Sequence, residues 1–516
     1  MKNTGKNSFA LPLLVVTVCL FLMVQPVAPC FADSPTERYS YFEGLPLLDP
    51  LEPLEPDEMR VTFMGSMIPL PVRLAQAEMS IFVEVGWVPD PSDSYYHGRP
   101  ADQFIFDMGA GASANYAAAK VGYRRMDKIF INHLHADHMN DLIHTYCFGP
   151  SSDRKSPLYV WGSKPSGVGD PDGSGGEFGS GGCSTVASGA RPLYHDDGVK
   201  AFCSHIREAM RWHTESFSFQ GTRYAGYTPP TKSSWGLPHD PVPVGNDDPR
   251  DAYALVPIEL DWEKVGGVAY DNRATGVKIT HFPVIHCRKG AMGYKLEWTH
   301  GGETLSMIYT SDTKPEVNCV EQAKNNGDGV DVFIHEMVVP PSVWAYKNMG
   351  LNEAPGPGDP GYADFQRTVA GLTRVQNSSH TSQGAFGHIL SRIDPHPRLT
   401  VATHFPVADD TVESALDSVR NHCDWVNMDD PDEAKRNFVF SFDLMVLRVF
   451  PDRIEQCRAD ASRFAFNPPV RLPEGIMTPK YHDGDGKGNP YAQIDISTEI
   501  PAKNADGTEN YREDGY

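Results

Sequence analysis

Six consecutive residues, His133-Leu134-His135-Ala136-Asp137-His138, constrain this chain more than any other part of it. They follow Lys128-Ile129-Phe130-Ile131-Asn132, an apolar run that reads as a buried strand. On a strand-to-loop transition His133 and His135 project the same way, so two imidazoles can grip one ion. Asp137 and His138 then turn off the strand end and can serve a second ion close by. Imidazole with carboxylate suits Zn²⁺, with Mn²⁺ or Fe²⁺ as less favoured choices. A surface run of histidines would not be expected to follow a buried strand.

The remainder of the chain provides an α/β framework. Strands are expected at 59–65, 80–85 and 103–107, with a helix at 112–120. From 277 onward, strands at 277–285, 292–298, 304–311, 330–335, 398–403 and 437–450 alternate with helices near 315–325, 382–393 and 410–423. Two stretches break the rhythm. Gly/Ser/Asp-rich 167–182 and Pro-rich 228–250 mark 150–275 as an insertion carrying an amphipathic helix at 198–217, and a Pro/Gly-rich run marks a second insertion at 340–375. The domain so defined runs 59–465, after an extended leader at 33–58 and before a polar tail at 466–516.

Residues 1–32 have the pattern of a secretory signal peptide. Lys2 and Lys6 precede an apolar run at 10–24, and Cys30 and Ala32 supply small residues at the cleavage site. The mature chain is therefore expected in the periplasm or outside the cell, with no stable membrane insertion. Such a compartment permits disulfides. The nine cysteines include no CxxC pair, which argues against zinc ribbons and iron–sulfur clusters. With 40% hydrophobic and 22% charged residues the composition is that of a globular protein. Its 45 Lys+Arg against 67 Asp+Glu give a net charge of −22. That balance argues against a long nucleic acid as partner, because phosphate binding needs a Lys/Arg surface. It leaves open a small anionic ester bound at metal ions.

HLHADH resembles the HxHxDH motif of the metallo-β-lactamase superfamily. The order of the surrounding segments resembles the ribonuclease Z group within it. Phe104-Ile105-Phe106-Asp107-Met108-Gly109 is similar to the family's strand-Asp-x-Gly segment, whose Asp supports the metal loop. Val284-Ile285-His286 with Gly293-Tyr294, Tyr309-Thr310-Ser311-Asp312, Val332-Phe333-Ile334-His335-Glu336, His380-Thr381-Ser382 and Thr403-His404 resemble its later motifs in order. The resemblance implies a four-layer αββα sandwich with two insertions roofing the active-site edge. It further implies that His133, His135 and His286 bind one metal, that Asp137, His138 and His404 bind a second, and that Asp312 bridges both. Two zinc ions, or Mn or Fe, would then activate a shared water, with Asp137 in the reacting centre. His380 would act as general acid, positioned by Glu336.

Departures from the group narrow the substrate. Only residues 295–311 separate Tyr294 from Asp312, too few for the basic arm of transfer-RNA processing members, and Asp409-Asp410 stand where a substrate-contacting Arg is common. The longer, exported branch also resembles alkyl- and arylsulfatase-like members. The expected reaction is hydrolysis of a compact ester, phosphodiester or phosphate first, with sulfate and carboxylic ester or lactone as alternatives. A zinc-binding protein without turnover is the non-enzymatic alternative. His195, His205 and His213 read as solvated or core residues, and Asp483-Gly484-Asp485-Gly486-Lys487 reads as a turn, because Lys487 stands where a calcium loop needs oxygen.

Overall fold

A computed structural model describes residues 39–69, 73–167, 197–216, 222–431 and 435–461. The predicted signal peptide, the glycine-rich 168–196 run with His195, and the polar tail lie outside the described residues. Among the described residues no helix is long and apolar enough to cross a membrane, and Cys147, Cys203, Cys287, Cys319, Cys423 and Cys457 are free thiols.

Two large sheets make up the domain. The first runs from edge to edge through Leu47–Leu48, Ile454–Ala459, Met445–Val449, Met59–Gly65, Ser80–Val85, Asp102–Phe106, Lys128–Phe130, Leu158–Ser163 and Leu255–Leu260. The second keeps chain order through Gly267–Asn272, Val277–Pro283, Met292–His300, Glu303–Tyr309, Val332–Glu336, Leu399–Thr403 and Phe438–Phe440. Side-chain alternation assigns the faces of the first sheet. Val61, Phe63, Phe104, Phe106 and Phe130 turn towards the second sheet. Phe82, Ile105, Ile129 and Val160 turn the other way, onto Tyr116, Leu142 and Cys203 of the helices Ala112–Ala118, Leu142–Phe148 and Val199–Ala209. Between the sheets Tyr294 packs on Phe106 and Phe130 and donates its hydroxyl to Ile131 O at 3.0 Å. Beyond the second sheet, Phe386 of helix Gln383–Leu390 stacks on His335 and meets Phe438. The layers are helix, sheet, sheet, helix, as the motif resemblance implies.

The expected insertion at 150–275 is narrower in the structure. Leu158–Ser163 pairs in parallel with Lys128–Phe130, and Leu255–Leu260 pairs in parallel with Leu158–Ser163, so both are core strands. Gly267–Asn272 likewise opens the second sheet. The excursion is what lies between 163 and 255, and its predicted helix is two, Val199–Ala209 and Arg211–Ser216. The stretch 340–375 is also more regular than expected. It forms helix Pro341–Asn348 and most of helix Tyr362–Ser379, which delivers His380 at its C-terminal end. The described part of the leader is bound rather than loose. Leu47–Leu48 pairs with Ile454–Ala459, and Glu55 and Glu58 meet Arg448 at 2.9 and 3.1 Å.

Both sheets end on one edge. Asp102–Phe106, Lys128–Phe130, Glu303–Tyr309, Val332–Glu336 and Leu399–Thr403 all lie in parallel pairings. The chain leaves their carboxyl ends through Asp107, the 133–138 turn, Asp312, Glu336 and His404. Carboxyl ends of parallel strands are where open α/β sheets place their ligands.

Candidate metal centre

At that edge, residues up to 271 positions apart in the chain come together (133 to 404). His133 Nε2 lies 3.0 Å from His135 Nδ1, which lies 3.1 Å from His286 Nε2. Asp137 Oδ2 stands 3.2 Å from both His138 Nε2 and His404 Nε2. Asp312 lies between the two groups. Its Oδ1 is 3.5 Å from His138 Nε2, while its Oδ2 is 3.5 Å from His404 Nε2, 3.8 Å from His286 Nε2 and 4.0 Å from His133 Nε2. Donor atoms of His133, His135 and His286 form one group within 4.8 Å of one another, and those of Asp137, His138, Asp312 and His404 form another. All seven residues expected from the sequence to be metal ligands meet here.

The donor set fits divalent cations. Three imidazole nitrogens aimed at one another are held together either by a shared ring N–H or by a cation lying between them. His138 Nε2 and Asp312 Oδ1 are buried and have no hydrogen-bond partner among the described residues, although they face each other. Such atoms, left unsatisfied, cost free energy that a shared ion offsets. The electrostatics agree. Burial alone would raise Asp312, but the His404 and His138 rings outweigh it and hold its carboxyl well below the usual range. Asp137 is likewise held low, chiefly by His138 against the effect of burial. Burial, with His138 next, pushes His133 down.

The supports behind these side chains are as defined as the side chains themselves. Asp107 accepts from His138 Nδ1 at 2.7 Å, from the Tyr309 hydroxyl at 2.9 Å and from Asn132 N at 2.9 Å. His286 Nδ1 is held by Ser379 O at 2.9 Å. Glu336 is fully buried, accepts from Thr313 N at 2.6 Å and lies 2.9 and 3.0 Å from His380 Nδ1. Glu336 and His380 therefore sit together, beside Asp312 and His404. Sequence reasoning missed the Ser379 carbonyl and the Thr313 amide. Both are backbone groups and carry no residue-type signal.

A cleft of about 360 Å³ opens on His133, His135 and His286. Ser163, Ser166, Asp197, His205, Arg288 and Lys289 also line it, and none of these was singled out for a site except His205, which the sequence reading placed with solvated residues. A signal was present in Arg288-Lys289, a basic pair between the His286 and Gly293-Tyr294 segments. His213 has a structural place, with Nε2 2.9 Å from Cys147 O.

Two packed sheets between helices, with a paired His/Asp cluster at their shared edge, define a protein of the metallo-β-lactamase fold. Within that class the chain is similar to ribonuclease Z. It is 36% identical over 64 residues to ribonuclease Z of Treponema denticola, covering 12% of this chain and 21% of that protein. It is 30% identical over 107 residues to ribonuclease Z of Methanosarcina acetivorans, covering 20% of this chain and 29% of that one. The chain thus spans less than a third of the length of these curated relatives. No family model matches it. Similar solved structures include the metallo-β-lactamase fold protein YhfI from Bacillus subtilis, with a TM-score of 0.39 and 12% identity over 76% of this chain and 100% of that one. Human tRNase Z, short form, has a TM-score of 0.38 and 14% identity over 75% and 98%.

Proposed function

We propose that this protein is an exported metal-dependent hydrolase acting on compact esters in the periplasm or outside the cell. His133, His135 and His286 would hold one divalent cation, Asp137, His138 and His404 a second, and Asp312 both. Zn²⁺ suits these donors best, with Mn²⁺ or Fe²⁺ as alternatives. The convergence of seven donor side chains on two adjoining positions carries this reading. A bound pair of such cations supplies Lewis acidity, activating water near neutral pH and balancing charge on a substrate oxygen.

The chain's own groups complete the reaction. Glu336, anchored on Thr313 N, fixes the His380 ring through Nδ1. That contact leaves Nε2 as the ring position able to pass a proton to the leaving oxygen. Asp137 and Asp312 add negative charge that favours cation binding, and Asp107 orients His138. A phosphodiester or phosphate is the favoured substrate, and a sulfate or a carboxylic ester or lactone is the alternative. The net charge of −22 disfavours long nucleic acids.

The test counts metals in the purified protein and measures hydrolysis of bis(4-nitrophenyl) phosphate, 4-nitrophenyl sulfate and 4-nitrophenyl acetate. Two metals per chain are expected, together with an activity that His135→Ala abolishes while circular dichroism stays unchanged. Two bound metals without hydrolysis of any ester would leave a metal-binding scaffold instead.

A further inference from the structure

The cleft beside the first histidine trio has an uneven distribution of charge. Arg288, its larger cation, is not free. Its Nε and Nη2 lie 2.7 and 2.6 Å from Asp197 Oδ2, and Asp197 also accepts from Ser166 N and Oγ at 2.8 and 2.6 Å. This ion pair contributes no net charge to the cleft. Lys289, the next residue, is exposed and has no ion pair among the described residues. The Ser163 hydroxyl likewise has no hydrogen-bond partner there. It faces Gly290, where a Cβ would come within 3.3 Å of its Oγ. A glycine at 290 therefore keeps open the space between Ser163 and the Lys289 backbone. Leu134, Phe202 and Ala291 supply apolar wall.

We propose that this cleft is the binding site for the part of the substrate that does not react, and that it takes a small organic group with an apolar body and a single negative charge, read by Lys289 with the Ser163 hydroxyl. The inference rests on the hydrolase reading only for the word substrate, since binding can be measured without turnover. Apart from the histidine trio, Lys289 is the cation of the cleft's described lining that has no ion pair, and it matches one negative charge. A second charge on the ligand would find no further unpaired cation on this wall, where Arg288 and Asp197 are paired with each other. The volume admits a single ring with a short substituent, within the lower range of small-molecule sites. An apolar wall with one charged anchor is the usual division of labour in such sites, with area supplying affinity and the charge fixing orientation.

The test measures calorimetric affinity of the metal-loaded protein for three probes that share one ring, namely dimethyl phenylphosphonate (neutral), monomethyl phenylphosphonate (one charge) and phenylphosphonate (two charges at pH above its second ionisation). The singly charged probe should bind more tightly than the neutral one. Lys289→Ala should weaken it about tenfold, as loss of a charge-assisted contact implies. Lys289→Arg should restore most of that affinity, and Phe202→Ala should weaken neutral and singly charged probes alike. The inference is overturned if no probe binds, if Lys289→Ala leaves the singly charged probe within twofold of the unaltered protein, or if the doubly charged probe binds best and stays insensitive to Lys289, the behaviour of a ligand held by the metals alone. A protein that binds as expected and hydrolyses no ester would overturn the hydrolase reading and leave this one standing. An active ester hydrolase indifferent to Lys289 would do the reverse.

Discussion

Asp107, Ser311 and His404 all adopt left-handed backbone conformations, with φ of 59°, 56° and 57°. For residues other than glycine this costs about 1–3 kcal/mol each and persists where the surroundings over-determine it. All three lie at the cluster, where each strand must turn sharply to direct a side chain or its support inward. Asp107 shows what that turn achieves. Its carboxylate, pushed up in pKa by burial despite the adjacent His138 ring, takes four donors, the Ser311 hydroxyl at 3.5 Å being the longest, and holds His138 with Nε2 towards Asp137 and Asp312. Asp107→Asn keeps the shape but removes the charge and presents an amide to a ring N–H. Zinc affinity is expected to fall about ten- to a hundredfold, the usual effect of losing a carboxylate behind a ligating histidine. Competition with a chromogenic chelator measures it, and an unchanged affinity would remove Asp107 from the centre's support.

At the scale of elements, close backbone approach sets where the 133–138 turn sits. A Cβ at Gly109 would lie 2.2 Å from Asp137 O and 2.7 Å from the Glu78 backbone and side chain. Gly109→Ala must therefore shift the helix-turn segment carrying Asp137 and His138. The expected cost is about 1–3 kcal/mol of overpacking, read as a lower melting temperature together with less than two metals per chain. A variant that melts and loads metal like the unaltered protein would show that the turn moves freely. The six-residue motif and the strand before it were legible in the sequence because they are contiguous, and this glycine because it closes the strand-Asp-x-Gly segment at 104–109. His286, Asp312 and His404 were legible through their order behind that motif. Strands Leu158–Ser163 and Leu255–Leu260 were not. They flank Gly/Ser- and Pro-rich runs, and parallel pairing across that distance leaves no local pattern. Pro257 also argues against a strand, yet Leu255–Leu260 is the sheet edge, where a missing N–H is tolerated. The cleft was hidden for the same reason, since Ser163 ends one of these strands.

Across the whole molecule, stability depends on pH and on the join between the sheets. Burial holds His281, on Val277–Pro283, at a pKa of about 4 despite the nearby Asp261, with Lys264 adding to the depression. An unfolded chain protonates this histidine near 6.5. The folded state therefore binds its proton later, and the stability present above 6.5 is lost as pH falls towards 4, by up to about 3 kcal/mol. His281→Gln should flatten that acid limb relative to the unaltered protein in urea melts at pH 7 and pH 4.5; parallel curves would exclude His281 as its source. The cluster joins the two sheets directly. His133, His135, Asp137 and His138 follow a strand of the first sheet, whereas His286, Asp312 and His404 follow strands of the second. Cations bound between them would act only on the folded state, because the unfolded chain scatters these donors. Such linkage reaches about 4 kcal/mol when free metal exceeds its dissociation constant a thousandfold. Chelation is expected to lower the melting temperature by several degrees, and added Zn²⁺ to restore it. His404→Ala should lose most of that zinc-dependent increment while its metal-free melting temperature stays near that of the chelated, unaltered chain. Identical melting with and without chelator would mean that the two sheets hold together by their apolar interface alone, and that the cluster contributes nothing to their union.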